Sequence, residues 1–335
     1  MQNLTSTHNS EPIYSIALPS GYILNNTYRI LKTLGQGGFG ITYLAEEDIT
    51  GRRVVIKENF PTFCSQRRQD SLTVSANSPT HSQAHDWALN SFLNEARILA
   101  GLNHPYIVPV TTAFKSLGTA YYVMPFIEGA DLNRAAPASQ EIDETWLRPV
   151  LTNILSALDY LHGQNLLHRD IKPTNILLRA DGSPLLIDFG TSRAISGSHT
   201  QTKMGTPGYA PLEQWSVGGK RGPWTDLYAL GATCYHLITG APPPDCHERA
   251  DEDNYLPLSG RKELRNRFSP VITDGIDKAL NTLRRNRWQS AQEWLVTLQA
   301  VSSDSTPPAP HTQPTPAKPS APARPSAPAK PSAPA

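Results

Sequence analysis

Three groups of residues in this 335-residue chain have the types and spacing to do chemistry. The first is a glycine cluster, Gly35-Gln36-Gly37-Gly38-Phe39-Gly40, with β-rich runs on both sides. Glycine lets a backbone approach a ligand closely and leaves N–H groups free for phosphate oxygens, so a hairpin built on Gly35, Gly37 and Gly40 is suited to fold over phosphates. Read alone, the cluster is equally a glycine-rich turn. The second group centres on Lys57, seventeen residues past Gly40, at the end of the apolar run Val54-Val55-Ile56. A lone strand-end lysine is ordinarily solvated, but Glu95, on a later amphipathic segment, offers a carboxylate to pair with it. Together they make an arrangement able to hold the α- and β-phosphates of ATP. The third group is His168-Arg169-Asp170-Ile171-Lys172-Pro173-Thr174-Asn175, followed eighteen residues after Asp170 by Asp188-Phe189-Gly190.

These residues need elements to hold them. Tyr28 to Leu34, Ile41 to Ala45 and Arg53 to Lys57 are β-rich runs separated by the glycine cluster and a Thr50-Gly51 turn, which predicts a strand meander. A helix is predicted from about Trp87 to Ala100, with Phe92, Ala96, Leu99 and Ala100 at helical spacing and Gly101 as its stop. Strands over Ile107 to Phe114 and Thr119 to Met124 complete a small β-rich lobe. From about Gly129 the character changes. Leu147, Val150, Leu151, Ile154, Leu158 and Leu161 recur at i, i+3, i+4 between Thr145 and His162, and helical patterns return at Asp226 to Thr239 and Asp277 to Leu298. A β-rich lobe joined to an α-rich lobe leaves a cleft, a usual place for a ligand.

Composition narrows the class. Thirty Lys+Arg against 29 Asp+Glu leave a net charge of +1, which excludes a polybasic nucleic-acid arm, so no nucleic-acid partner is expected. Three cysteines, Cys64, Cys234 and Cys246, are widely spaced and suggest neither a disulfide framework nor a zinc site, which fits a reducing, cytoplasmic setting. The polar start lacks a signal pattern, and no apolar run approaches the roughly 18 residues that span a bilayer, so no transmembrane segment is expected. Eleven of the 30 prolines lie between Pro307 and Pro334, where the chain repeats KPSAPA, RPSAPA and KPSAPA. Such a tail builds no core and reads as an extended, semi-rigid linker; alternatively it is a ligand for a proline-recognising module or leads into further chain.

The third group carries a resemblance. His168-Arg169-Asp170, Lys172-Pro173 and Asn175, with Asp188-Phe189-Gly190 behind an apolar strand, resemble the catalytic segments of a eukaryotic-like (Hanks-type) serine/threonine protein kinase, and the KENFP and GTAYYVM segments look like its bacterial members. Gly205-Thr206-Pro207-Gly208-Tyr209 and Pro211-Leu212-Glu213 fall where the family has its substrate-docking segment, although A-P-E is retained only at Glu213. The resemblance implies an α+β, bilobal fold, with a small β-rich N-lobe holding one main helix and a larger α-helical C-lobe. It places an N-terminal extension at 1–21, a kinase domain at about 22–300 (N-lobe about 22–125, C-lobe about 129–300), and a Pro/Ala-rich disordered tail or linker at 301–335.

It also implies roles. Asp170 would orient a protein hydroxyl and accept its proton, Lys172 would stabilise the transferring phosphoryl group, and Asn175 and Asp188 would hold Mg²⁺, or Mn²⁺ in its place, on ATP. Met124 would border the adenine, Pro125 C=O and Ile127 N–H would bond its edge, and Asp131 would meet the ribose. Glu213 would pair with Arg287, Asp226 would hold the catalytic-loop backbone, and phosphorylation in the loop at Ser196, Ser198, Thr200 or Thr202 would be received by Arg169. Two residues depart without removing a charge, Val55 for the family's alanine and Thr42 for its valine. Lys57 and Glu95 stand 38 residues apart, leaving a polar insert at about 61–86. That insert reads either as a mobile surface excursion or as a device in which Arg67 or Arg68 controls the helix bearing Glu95. The function implied is ATP-dependent phosphoryl transfer to Ser/Thr of protein substrates, with autophosphorylation. A nucleotide-binding pseudokinase scaffold is the alternative, disfavoured because Lys57, Glu95, Asp170, Asn175 and Asp188 are all present. A small-molecule phosphotransferase is opposed by the docking segment. No sequence feature specifies an oligomeric state or names the protein substrate.

Overall fold

Alternation of β-branched and aromatic residues with polar ones builds the first lobe. In the computed structural model, which describes residues 16–188, 193–194, 205–216 and 218–300, its elements are β1 (Ile23–Leu24), β2 (Tyr28–Gln36), β3 (Gly40–Glu47), β4 (Arg53–Asn59), β5 (Ser65–Arg67), β6 (Val74–Ala76), α1 (Ser82–Ala100), β7 (Thr112–Ser116) and β8 (Thr119–Pro125). Six of the strands form one antiparallel sheet in the order β1-β2-β3-β4-β8-β7. Each face has its own core, because successive side chains of a strand point oppositely. Ile56 of β4 joins Ile30, Ile41, Tyr43, Tyr121 and Val123 on the outer face, where the buried residues extend back to Ala17 and Leu18, ahead of Tyr22. On the inner face Tyr122 and Met124 meet Ala96 and Leu99 of α1, and this core continues into the second lobe.

The insert is folded rather than a loose excursion. β5 and β6 pair antiparallel, and Val74 N–H donates to Leu117 O at 2.7 Å, seating the hairpin on the β7–β8 turn. Gly118 in that turn has φ 71°, and a Cβ there would stand 2.3 Å from the Val74 carbonyl, so only glycine fits. Two three-residue strands in a polar stretch carry too little periodicity to be read in advance. For the same reason α1 begins at Ser82 instead of Trp87, since its first turn is polar. The strand expected over Ile107 to Phe114 is confined to Thr112–Ser116. Ile107, Val108 and Val110 are apolar because they are buried as a loop between the lobes, with Val108 N–H donating to Leu186 O.

The second lobe comprises β9 (Ala130–Asp131), α2 (Leu132–Ala135), α3 (Glu144–Gly163), β10 (Leu166–Leu167), β11 (Ile176–Leu178), β12 (Pro184–Leu186), β13 (Arg193–Ala194), α4 (Leu212–Trp215), α5 (Pro223–Thr239), α6 (Cys246–Asp251), α7 (Pro270–Ala279) and α8 (Ala291–Ala300). Asp143 caps α3 by accepting from Trp146 N–H at 3.0 Å, and α5 is buried along nearly its whole length, which suits it to be the lobe's central post. The helical pattern predicted over Asp277 to Leu298 divides between α7 and α8. Trp288 in the connection stacks on Trp294 with ring centroids 5.7 Å apart, so one apolar period serves two helices. Among the described residues no helix is long and apolar enough to cross a membrane.

Candidate active site

Between β10 and β11 the chain makes a tight loop from His168 to Asn175, and one carboxylate shapes it. Asp226, near the start of α5, accepts from His168 N–H at 2.9 Å and Arg169 N–H at 2.8 Å, while His162 Nε2 meets its Oδ2 at 2.9 Å. Burial opposes the charge of Asp226, but these bonds outweigh it and hold the pKa below the usual aspartate value. Arg169 has φ 67°, a conformation that costs a non-glycine residue free energy, and the two amide bonds to Asp226 supply the offset. Burial lowers the pKa of His168 against the pull of Asp226, Asp170 and Asp188. Its Nε2 therefore donates to Ile187 O at 3.3 Å and its Nδ1 accepts from Asp170 N–H at 3.4 Å, joining the loop to the residue before Asp188.

The loop brings Asp170, Lys172, Asn175 and Thr206 together. Lys172 Nζ donates to Asp170 Oδ1 and Oδ2 at 3.0 and 2.8 Å and to Thr206 Oγ1 at 3.1 Å. Thr206 Oγ1 donates to Asp170 Oδ1 at 2.9 Å, and Asn175 Nδ2 donates to Asp170 Oδ2 and to its backbone carbonyl, both at 2.8 Å. With its amide nitrogen so used, Asn175 presents Oδ1 as a hard oxygen ligand.

Above the loop, Lys57 Nζ forms an ion pair with Asp188 Oδ1. Burial works against the ammonium, but Asp188, then Tyr122 and Glu95, raise its pKa above the ordinary lysine value. Asp188 is correspondingly lowered, first by Lys57 and against its own desolvation. Glu95 thus belongs to the same electrostatic cluster, while the hydrogen bond of the Lys57 ammonium goes to Asp188. The helix bearing Glu95 docks through Phe92, whose ring stacks on Tyr122 at 5.0 Å, and the Tyr122 ring lies 6.0 Å from Lys57 Nζ.

The β2–β3 hairpin carries the glycine cluster over this cleft. A Cβ on Gly35, Gly37 or Gly38 would meet nothing within 4 Å, whereas one on Gly40 would stand 2.5 Å from Glu58 O. Gly40 is therefore fixed by close strand packing, and the other three leave open space for a ligand. Val55 pairs with Met124 and Val54 with Pro125 across β4 and β8, so Met124 and Pro125 lead directly to Ile127 and on to Asp131 in β9. Arg134 Nε lies 3.6 Å from Asp131 Oδ2, and Asp131 Oδ1 is buried without a hydrogen-bond partner.

A family model described as the protein kinase domain matches residues 28–296. The chain belongs to the protein kinase family. Within it the chain is of the bacterial, Hanks-type serine/threonine kind. It is 34% identical over 302 residues to "Serine/threonine-protein kinase PknA" of Nostoc sp. (strain PCC 7120), covering 86% of this chain and 50% of that protein. "Serine/threonine-protein kinase C" of Synechocystis sp. (strain PCC 6803) is 33% identical, over 84% of this chain and 51% of its own length. The chain thus spans about half the length of these curated relatives. The solved structure of PpkA-294 in its apo form has a TM-score of 0.72 and 36% identity, covering 85% of this chain and all of its own. Kinases of this family use ATP with a divalent metal, and the residues here fit that group: glycines facing open space, an unpartnered buried Asp131 oxygen, and oxygen ligands on Asn175 and Asp188.

Two structural pairs of the kinase domain were legible in the sequence, Asp226 with the loop backbone and Glu213 with Arg287. Arg287 Nη1 meets Glu213 Oε1 at 2.8 Å, and its other donors satisfy Asn281 O and Thr282 O. The substituted Pro211-Leu212 keeps this pair. Sequence reasoning missed Glu58, the residue after Lys57. It is buried on the outer face and bound by Arg67 Nη2 at 2.7 and 2.6 Å, Tyr121 Oη at 2.6 Å and Tyr43 Oη at 2.6 Å. The signal was its place in β4, one step out of phase with Lys57. Arg67 therefore braces the outer face, with further bonds to Ile16 O and Leu72 O, while Arg68 lies exposed beside Asp70. Phe189, Gly190 and the loop hydroxyls of Ser196, Ser198, Thr200 and Thr202 lie outside the described residues.

Proposed function

We propose that the chain transfers the γ-phosphoryl group of ATP to Ser/Thr hydroxyls of protein substrates, including its own loop. The observation that carries this reading is the constellation on Asp170, both of whose carboxylate oxygens are held by Lys172, Thr206 and Asn175. Bound Mg-ATP, with Mn²⁺ as the alternative ion, supplies the phosphoryl group and a cation that neutralises phosphate charge. Asp188 and Asn175 Oδ1 would hold that cation, and Lys57, now paired with Asp188, would serve the phosphate oxygens, each charge keeping an opposite partner. Glu95 keeps Lys57 in register. Met124 borders the adenine, Pro125 C=O and Ile127 N–H bond its edge, and Asp131 Oδ1 accepts from a ribose hydroxyl. Gly35 and Gly37 leave the hairpin room to close over the phosphates, and Gly40 lets it pack closely on β4.

Asp170 aims the substrate hydroxyl and takes its proton on a carboxylate oxygen. Lys172, bridging Asp170 and Thr206, stands where negative charge moves during transfer, and water exclusion strengthens its effect. The Thr206 bond to Asp170 ties the substrate-docking segment to the catalytic carboxylate, which supports a protein substrate. The kinase domain spans about 22–300, followed by a linker, and three buried free cysteines support a cytoplasmic setting. The test is incubation with radiolabelled Mg-ATP beside Asp170→Ala, with phosphoamino-acid analysis. Label on Ser or Thr that falls by at least about a hundredfold in the variant is expected; equal label in both would remove Asp170 from the chemistry.

A further inference from the structure

The insert reaches the glycine-rich hairpin at a point the mechanism above does not use. Thr62, just past β4, donates its backbone N–H to Gly38 O at 3.0 Å, and its Oγ1 donates to the same carbonyl at 3.3 Å. Phe60 N–H donates to Phe39 O at 3.1 Å. Beside these bonds the rings of Phe39 and Phe63 lie 6.0 Å apart, tilted by 58°, with 43% and 51% of each residue exposed. The same stretch is tied onward. Asn77 donates from its backbone to Cys64 O at 3.0 Å and from Nδ2 to Phe63 O at 3.3 Å, and its Oδ1 meets His81 Nδ1 at 2.7 Å. His81 is the residue that precedes α1, the helix bearing Glu95.

Two physical features assign this contact a purpose beyond packing. A glycine-rich segment loses more conformational freedom on ordering than any other, so a loop that must grip phosphates binds them better when it is already restrained from outside. The Gly38–Phe39 peptide is also planar and trans, so fixing its C=O on Thr62 turns its N–H to the opposite side, away from the insert. Gly37 N–H is engaged by Gly40 O at 3.0 Å, which leaves the Phe39 N–H as the amide at the hairpin tip that this clip orients.

We infer that the insert is a brace for the phosphate-binding hairpin: Thr62 and Phe63 are positioning residues that hold the Gly38–Phe39 peptide with its N–H toward the nucleotide's terminal phosphates, and Asn77 anchors the brace to the start of the Glu95 helix. This rests on the reading that the cleft binds ATP. It also replaces the role anticipated for Arg67 and Arg68 with one for Thr62, Phe63 and Asn77.

The test compares the affinity of the full chain for adenosine and for a non-hydrolysable ATP analogue with Mg²⁺, by titration calorimetry, in wild type, Phe63→Ala and Phe63→Tyr. Adenosine has no phosphates and does not use the hairpin. Phe63→Ala is expected to weaken the analogue roughly three- to tenfold, the scale of one aromatic pair, with adenosine unchanged and Phe63→Tyr restoring the affinity. Thr62→Val, which keeps the backbone donor and loses only the hydroxyl, should move the analogue in the same direction by a smaller factor. Unchanged analogue affinity in Phe63→Ala, or equal weakening of both ligands, would overturn the brace. Wild type binding neither ligand would instead overturn the nucleotide-site reading beneath it.

Discussion

Charge at single residues sets the cleft's behaviour. Lys57 and Asp188 hold each other ionised inside a partly dry site, so Lys57→Met leaves Asp188 without its first stabilising partner. That variant should lose transfer by at least about a hundredfold while still binding adenosine, since the adenine contacts proposed for Met124, Pro125 and Ile127 lie elsewhere; a KM and kcat determination beside adenosine titration checks it. Histidines make stability pH-dependent. His168, His104 and His236 all have pKa values lowered below 6.5, chiefly by burial. The unfolded chain then binds protons near pH 6.5 that the native state refuses, so stability is full above that value and falls as the pH drops below it. Carboxylates, with ordinary values of 3.8 and 4.5, titrate lower and do not blur this window. Urea unfolding should show a lower midpoint at pH 5.5 than at pH 7.5; identical midpoints would contradict the burial of these rings. The roles proposed for Asp170, Lys172, Asn175 and Asp188 came from the resemblance of their motifs to the kinase family, whose ligand and acid–base chemistry restricts residue type strongly. Glu58 showed only its phase in β4, one step from Lys57, and nothing local shows that Arg67, Tyr43 and Tyr121 will surround it.

Elements differ in how their glycines and ion pairs bear load. In the β2–β3 hairpin, Gly40→Ala forces a methyl against Glu58 O and should cost roughly 1–3 kcal/mol in unfolding free energy, whereas Gly37→Ala meets open space and should cost well under that. Nucleotide affinity should rank differently on the proposed phosphate role of the hairpin, with Gly37→Ala the weakened variant because its methyl enters the open space beside the loop. Denaturant unfolding and nucleotide titration of the two variants separate these effects. Between α4 and the α7–α8 connection, Arg287→Ala would strand the buried Glu213 carboxylate and should destabilise the domain by about 3–5 kcal/mol. Thermal unfolding reads that loss, and a fall no larger than that of a surface pair would show the site to be wet. Long elements with a clear period, such as α3, were legible from the sequence. Short ones, such as β5 and β6, were not, because three residues carry no period and their stability comes from the neighbours they meet.

For the whole molecule, two lobes share one continuous inner core, while the outer face of the sheet keeps a separate one roofed by the insert and residues 16–18. The second lobe ends in α8, whose Trp294, Leu295 and Leu298 are buried, and the proline-rich repeats that follow contain nothing to bury. Removing residues 301–335 should therefore leave the thermal midpoint and the kcat of autophosphorylation within error of the full chain, measured side by side. A drop of several degrees would mean that the repeats pack on the domain. The sequence by itself determined the family, through its kinase motifs, and the order of the lobes, because catalytic motifs demand particular side chains at fixed offsets and buried faces demand a 2.0 or 3.6 period. Tertiary structure alone decided that Lys57 meets Asp188, that Glu58 turns outward to Arg67, and that Thr62 and Phe63 hold the glycine hairpin. Those contacts join residues whose meeting depends on how separate elements pack, and no local pattern in the chain encodes that distance.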